Sequence, residues 1–211
     1  MHRRLPWAPD WVRAGIAGAV PADPPGGATP VYPAFNNGIV NAIFFGPAAV
    51  ADYSGLQTTA QGTWTGNFGA DGQVIANDIS NVPAYADLDL IVDSTYTWTT
   101  STSDPRALQI ASGSSSRIAS TFMAYNTFTI DLNLTDGNTH KISLYLCDWD
   151  HYGRAETITI LDAATQTVIN SQSFASFSGG IYAVWNIKGH VQIQVIRTAG
   201  NNAIVNALFF N

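Results

Sequence analysis

Val191-Gln192-Ile193-Gln194-Val195-Ile196 sets valine and isoleucine at alternate positions with glutamine between them. Successive side chains of a strand point to opposite faces, so this hexapeptide has one apolar and one wet face, the mark of an antiparallel sheet covered on one side. Outward from it, short runs rich in β-branched and aromatic residues recur along the chain. They are Ala60 to Gly66, Gln73 to Ala76, Leu88 to Val92, Thr95 to Thr99, Ile118 to Met123, Thr127 to Leu134, Lys141 to Trp149, Thr157 to Leu161, Val168 to Phe174, Ile181 to Ile187 and Ala203 to Phe210. Asp71-Gly72, Asp136-Gly137-Asn138, Gly179-Gly180 and Lys188-Gly189 supply turn residues that tolerate positive φ. Many short strands without a convincing helix predict an all-β protein, an antiparallel jelly-roll β-sandwich of two packed sheets.

One strand sequence occurs twice. Asn36-Asn37-Gly38-Ile39-Val40-Asn41-Ala42-Ile43-Phe44-Phe45 and Asn201-Asn202-Ala203-Ile204-Val205-Asn206-Ala207-Leu208-Phe209-Phe210 differ only at Gly38/Ala203 and Ile43/Leu208. The second copy reads as the strand that closes the domain, the first as a strand on an N-terminal arm. The expected organisation is therefore an arm over residues 1–50 and a sandwich over 51–211. Within the arm, Trp7 to Val20 has the pattern of a short helix, Pro21 to Pro33 is a Pro/Gly linker, and 38–45 is the extra strand, stopped by Gly46-Pro47.

Composition narrows the function. Of 211 residues only 11% are charged, and the formal charge is −6. Residues beyond 50 hold thirteen acids against six bases, which would repel a phosphate backbone and argues against nucleic acid as a partner. Cys147 is the only cysteine, so there is no internal disulfide and no multi-thiolate zinc site; in its apolar run it reads as a buried, inert thiol. No stretch approaches the roughly 20 apolar residues of a membrane span. Met1 to Val20 superficially resembles a secretory leader, but Pro6, Pro9, Asp10 and Arg13 interrupt its apolar region.

Several separated motifs occur in order. Gly62-Thr63-Trp64-Thr65-Gly66-Asn67-Phe68-Gly69-Ala70-Asp71-Gly72 is followed by Tyr96-Thr97-Trp98 and Ser103-Asp104-Pro105-Arg106-Ala107-Leu108-Gln109. Leu144 to Asp150, Gly153 to Thr157 and Tyr182 to Val191 then precede the terminal strand. Together, over about residues 54–211, they resemble a bacterial extracellular β-sandwich module of the galactose-binding-like and malectin-like kind. The resemblance implies a non-catalytic domain for carbohydrate binding or surface attachment, at an extracellular or cell-surface location, with a phage virion as the alternative.

Among individual residues, Trp98, Trp149 and Tyr152 stand near turn-rich, acid-containing sequence at strand ends, where flat rings could stack on sugars. Asp104 and Arg106 could orient hydroxyl groups, although Asp104-Pro105 is also an ordinary turn opener. Trp64 and Trp185, embedded in strand pattern, are read as core. Asp148 and Asp150, two apart, point to one face and could offer hard oxygens to calcium, the one cofactor the sequence suggests. The structural alternative pairs them with Arg154. Two acids side by side on one strand cannot easily flank a scissile bond, and no nucleophile elbow or zinc-hydrolase motif is present, so no enzyme is expected.

Two functions follow. In the first, the arm's Ile39, Val40, Ile43, Phe44 and Phe45 dock on another copy of the protein, because burying such side chains is worth roughly 1.5–3 kcal/mol each before ordering costs. The protein is then a subunit of a filament, sheath or virion that also touches glycans. In the second, it is a monomeric carbohydrate-binding or adhesion module whose partner is a polysaccharide.

Overall fold

A computed structural model describes residues 48–113 and 115–211, and every observation below concerns these. The arm's expected helix, linker and strand 38–45, with Ile39, Val40, Ile43, Phe44 and Phe45, lie outside the described residues.

The described chain is all-β. A first sheet runs in the order β1 (Val50–Gln57), β11 (Ile181–Lys188), β8 (His140–Leu146), β14 (Ala207–Phe210), β2 (Gly72–Ile75). A second runs β10 (Val168–Ala175), β9 (Ala155–Asp162), β12 (His190–Ala199), β7 (Thr127–Leu134), β3 (Ala86–Ile91). A smaller third sheet holds β13 (Ala203–Val205), β6 (Arg117–Ala124) and β4 (Ser94–Thr102), with β5 (Leu108–Gln109) added on β6. The strand pairs are antiparallel. From β7 to β8, β8 to β9, β10 to β11 and β11 to β12 the chain changes sheet at each step, the connectivity of a jelly roll.

The alternation that predicted the sandwich is what builds it. Val191, Ile193 and Val195 of β12 are fully buried, as are Ile130 and Leu132 of β7 and Ile158 and Ile160 of β9. They share one core with Ile142, Leu144, Trp185, Ile187 and Phe210 of the first sheet. Trp185 fills the core as expected, and Trp64 is buried in a second apolar cluster with Tyr145, Tyr182 and Phe209.

Three strand expectations change. Ala60 to Gly66 is a set of turns rather than a strand: Asn67 and Phe68 both donate to the carbonyl of Trp64, and Gly66 has φ 80°. The Trp64 indole donates to Gln109 O at 2.7 Å, and a Cβ on Gly62 would collide with Ala107 O, so this segment is folded down as a cover. Conversely, β1 is an edge strand with no sequence signal, because beyond Tyr53 its less exposed positions hold Gly55 and Gln57 while Leu56 faces out, and a bulge shifts its register between Tyr53 and Gly55.

Finally, the run Ala203 to Phe210 is two strands in two sheets. β13 pairs with β6 of the third sheet, and β14 lies between β8 and β2 of the first. The switch is at Asn206, which is 3% exposed and whose four polar groups are all bonded. Its N–H donates to Tyr145 O and its carbonyl accepts from Ala76 N. Its Oδ1 accepts from Cys147 N at 2.6 Å, and its Nδ2 donates to Ser120 O at 2.7 Å.

Candidate functional site

The loop from β8 to β9 is organised by a buried carboxylate. Asp148 accepts from the backbone N–H groups of Tyr152, Gly153 and Arg154 and is paired with the Arg154 guanidinium. His151 and Gly153 take left-handed φ values of 58° and 68°, which curl the loop around that carboxylate. Arg154, 4% exposed, also pairs with Asp150 and donates from Nε to Asn202 Oδ1 at 2.8 Å. Gly200, with φ 78°, lets the turn between β12 and β13 come this close, because a Cβ there would lie 2.8 Å from Arg154 Cα.

This Asp–Arg–Asp unit, with Asp148 and Arg154 buried and Asp150 partly exposed, is the structural alternative that the sequence left open for Asp148 and Asp150. Arg154 supplies the positive charge that a calcium ion would bring to the same oxygens. Burial works against the ionised Asp150, yet hydrogen bonds from Arg154 and the Trp98 indole hold its carboxyl below the ordinary value. Behind the unit, burial pushes Glu156 up to about 8. Its Oε2 accepts from Ile204 N while Oε1 has no partner, consistent with a protonated carboxyl in the wall of the core.

In front of Arg154 lies an open hollow of about 360 Å³. Trp98 on β4 and Tyr152 on the loop give it two rings, each with the Arg154 guanidinium over it, at 5.7 and 5.5 Å from the centroids. Tyr96, half-exposed at 52%, meets Trp98 edge-on at 5.4 Å. The Trp98 Nε1 donates to Asp150 Oδ2 at 2.9 Å, which fixes ring and carboxylate together. Met123 and the amide side chains of Asn201 and Asn202 complete the lining.

Of the residues expected to bind a ligand, Trp98 and Tyr152 are brought together here; Asp150, expected with Asp148 as a calcium ligand, lines the same hollow, and Asp148 supports it from behind. Asp104, Arg106 and Trp149 form a different cluster. Asp104 accepts from Arg106 N and pairs with its guanidinium at 2.8 Å, and that guanidinium lies 4.5 Å over the Trp149 ring. Arg106 also donates to Ser178 O, so its donors are taken up in tying three loops together. The hydrogen bonds from Arg106 hold the Asp104 carboxyl below its ordinary value. Burial pushes the Cys147 thiol up to about 12, which leaves it the inert group expected.

Tyr96, Asn201 and Asn202 were not anticipated. Tyr96 stands two residues before Trp98 on one strand, so the period of two places both rings on one face and could have found it. The two asparagines come from a turn about fifty residues beyond the loop and carry no local signal.

No family model matches the chain, and no curated protein matches it. Among solved structures the chain is similar to the carbohydrate-binding module TmCBM61, determined in complex with β-1,4-galactotriose, at 11% identity and a TM-score of 0.34, over 61% of this chain and 90% of that one.

Proposed function

We propose that the protein is a non-catalytic glycan-binding module that holds a polysaccharide in the hollow between Tyr96, Trp98 and Tyr152. The observation that carries this reading is three rings around an open hollow whose one carboxylate, Asp150, is fixed by both Trp98 and Arg154. A sugar offers an apolar C–H face for such rings and hydroxyl groups for a pre-oriented acceptor and for the amides of Asn201 and Asn202. An extracellular or surface location fits this partner, and no helix among the described residues is long and apolar enough to cross a membrane.

Affinity gel electrophoresis against a panel of neutral and acidic polysaccharides, followed by calorimetry on those retained, tests the reading. Trp98→Ala and Tyr152→Ala are each expected to weaken binding about tenfold, or about 1.4 kcal/mol, with the thermal melt of Tyr152→Ala unchanged. Retention by no polysaccharide, or undiminished affinity in both variants, overturns it.

Self-assembly is a second reading, motivated by the repeated strand. The slot of β13 and β14 in this sandwich is filled by residues 203–210, and the near-copy at residues 36–45 suits the equivalent slot of a second sandwich of this kind. Asn37 and Asn41 correspond to Asn202 and Asn206, the residues that anchor the slot. Light scattering on the full chain and on a version lacking residues 1–47 is expected to show oligomers only for the former; two monomers would end this reading.

A further inference from the structure

The outer face of the first sheet is covered over only part of its area. The segment around Trp64 lies over it and ends at Phe68, whose ring stacks on Tyr182 with centroids 3.8 Å apart. Beyond Phe68 the sheet is bare, and the step leaves an open hollow of about 550 Å³. Phe68 and Asn67 form one wall, the bulged edge of β1 at Ser54 to Gln57 another, and Val184, Lys141 and Asn211 the floor. The bulge widens it: Gly55 has φ 122°, and a Cβ there would meet nothing within 4 Å.

The charge at this hollow differs from that on the rest of the described residues. Among the described residues the bases are Arg106, Arg117, Arg154, Arg197, Lys141 and Lys188. The four arginines are engaged: Arg106 and Arg154 by carboxylates, Arg117 by Ala107 O and Thr63, Arg197 by Gly200 O and Asn126. The ammonium groups of Lys141 and Lys188 have no hydrogen bond or ion pair among the described residues. Both stand on this face, since Lys141 pairs with Asn186 and Lys188 is two residues further along the same strand. Asp52, also opposite Asn186, shares the face without pairing to either lysine.

Uncommitted polar atoms accompany the charge. Asn67 uses its Nδ2 on Thr63 O and Asn211 its Oδ1 on Ala70 N, and among the described residues neither Asn67 Oδ1 nor Asn211 Nδ2 has a partner. Beside the floor residue Val184, its cross-strand partner Ser143 buries a hydroxyl without a partner.

We propose that this hollow is a second saccharide site and that it takes an acidic sugar unit of an anionic polysaccharide. The sugar's carboxylate or sulfate sits on Lys141, its hydroxyls meet the amides of Asn67 and Asn211, and its C–H face lies along Phe68 and Val184. In a chain of net charge −6, an ammonium group that forms no ion pair among the described residues is what lets such a polymer approach. The site is independent of the Trp98 hollow. The two lie toward opposite ends of β8, whose span from Lys141 to Leu146 alone is roughly 17 Å, so one polymer or two could be held at once.

The full chain is titrated with polygalacturonate, which carries carboxylates, with dextran sulfate, which carries sulfates, and with fully methyl-esterified polygalacturonate as the uncharged control. Binding of at least one charged polymer is expected, weakening as salt is raised. Lys141→Gln, and Val184→Trp, which fills the hollow and leaves the charge in place, are each expected to lower that affinity at least tenfold. The methyl ester is expected to bind the Lys141→Gln variant and the full chain alike. Failure of the full chain to bind either charged polymer overturns the proposal, as does full affinity in Lys141→Gln. Full affinity in a folded Val184→Trp reduces the effect to charge attraction without the hollow and overturns it as well. Loss of neutral polysaccharides in Trp98→Ala reports on the other hollow alone.

Discussion

Asn206→Leu is expected to destabilise the sandwich by about 2–6 kcal/mol, because it strands two buried backbone groups at about 1–3 kcal/mol each. The Cys147 N–H and the Ser120 carbonyl are bonded to the Asn206 amide, and leucine, of similar size, offers neither a donor nor an acceptor. The loss falls where the terminal run passes from the third sheet to the first, so both strand pairings on either side weaken together. Asn206→Asp is the informative control. It keeps the shape and the acceptor for Cys147 but sets a carboxylate oxygen against the Ser120 carbonyl, and it should be at least as harmful. Denaturant midpoints measure both; a leucine variant within 0.5 kcal/mol of the parent would show that the amide is dispensable.

Arg154→Met comes next in size, at about 3–5 kcal/mol, the usual cost of leaving a buried charge without its partner. Asp148 is nearly inaccessible and would keep only its backbone donors, while Asp150 would lose the contact that aims it at the hollow. Stability and glycan affinity should therefore fall together in this variant, whereas Tyr152→Ala changes affinity alone. The effect also has a pH signature. Asp150 is held below the ordinary carboxyl value, so its contribution is complete above the unfolded-state value near 4 and is lost as pH falls through the lower folded value. Parent and variant curves are expected to converge as pH falls below the unfolded-state value. Glu156 works in the opposite sense, its contribution being lost as pH rises toward about 8, but it remains in both proteins. Curves that stay parallel throughout the acid range would mean that Arg154 acts by packing rather than by charge.

The sheets were legible wherever a strand's period is local. Val191 to Ile196 could be read as a half-wet strand because its alternation involves only its own residues, and Ile130, Leu132, Ile158 and Ile160 follow the same rule. Ala60 to Gly66 was misread because threonine and tryptophan favour strands, while its turns are set by Gly62 and Gly66 and by contacts with Ala107 and Gln109 far along the chain. The break at Asn206 was invisible for a related reason. Ala203 to Phe210 is an unbroken apolar run around one amide, and that amide's partners, Cys147 and Ser120, are nowhere near it in sequence.

The site divides along the same line. Trp98, Asp150 and Tyr152 are neighbours because a strand end and a loop end meet. Trp149 adjoins Asp150 in sequence but belongs with Arg106, since consecutive residues in this loop face opposite ways. Asn201 and Asn202 could be found only once β12 and β13 had been placed.

The position of β14 between β8 and β2 sets an order in time. During synthesis the first sheet cannot be completed until residues 207–210 emerge, more than 130 residues after β2, and closure over so long a separation is intrinsically slow. Until then β8 and β6 each carry an unpaired edge beside an open core. Residues 36–45, alike at all but two positions, leave the ribosome before any strand of the sandwich does. The nascent slot is thus presented with a near-copy of its closing strand long before that strand exists.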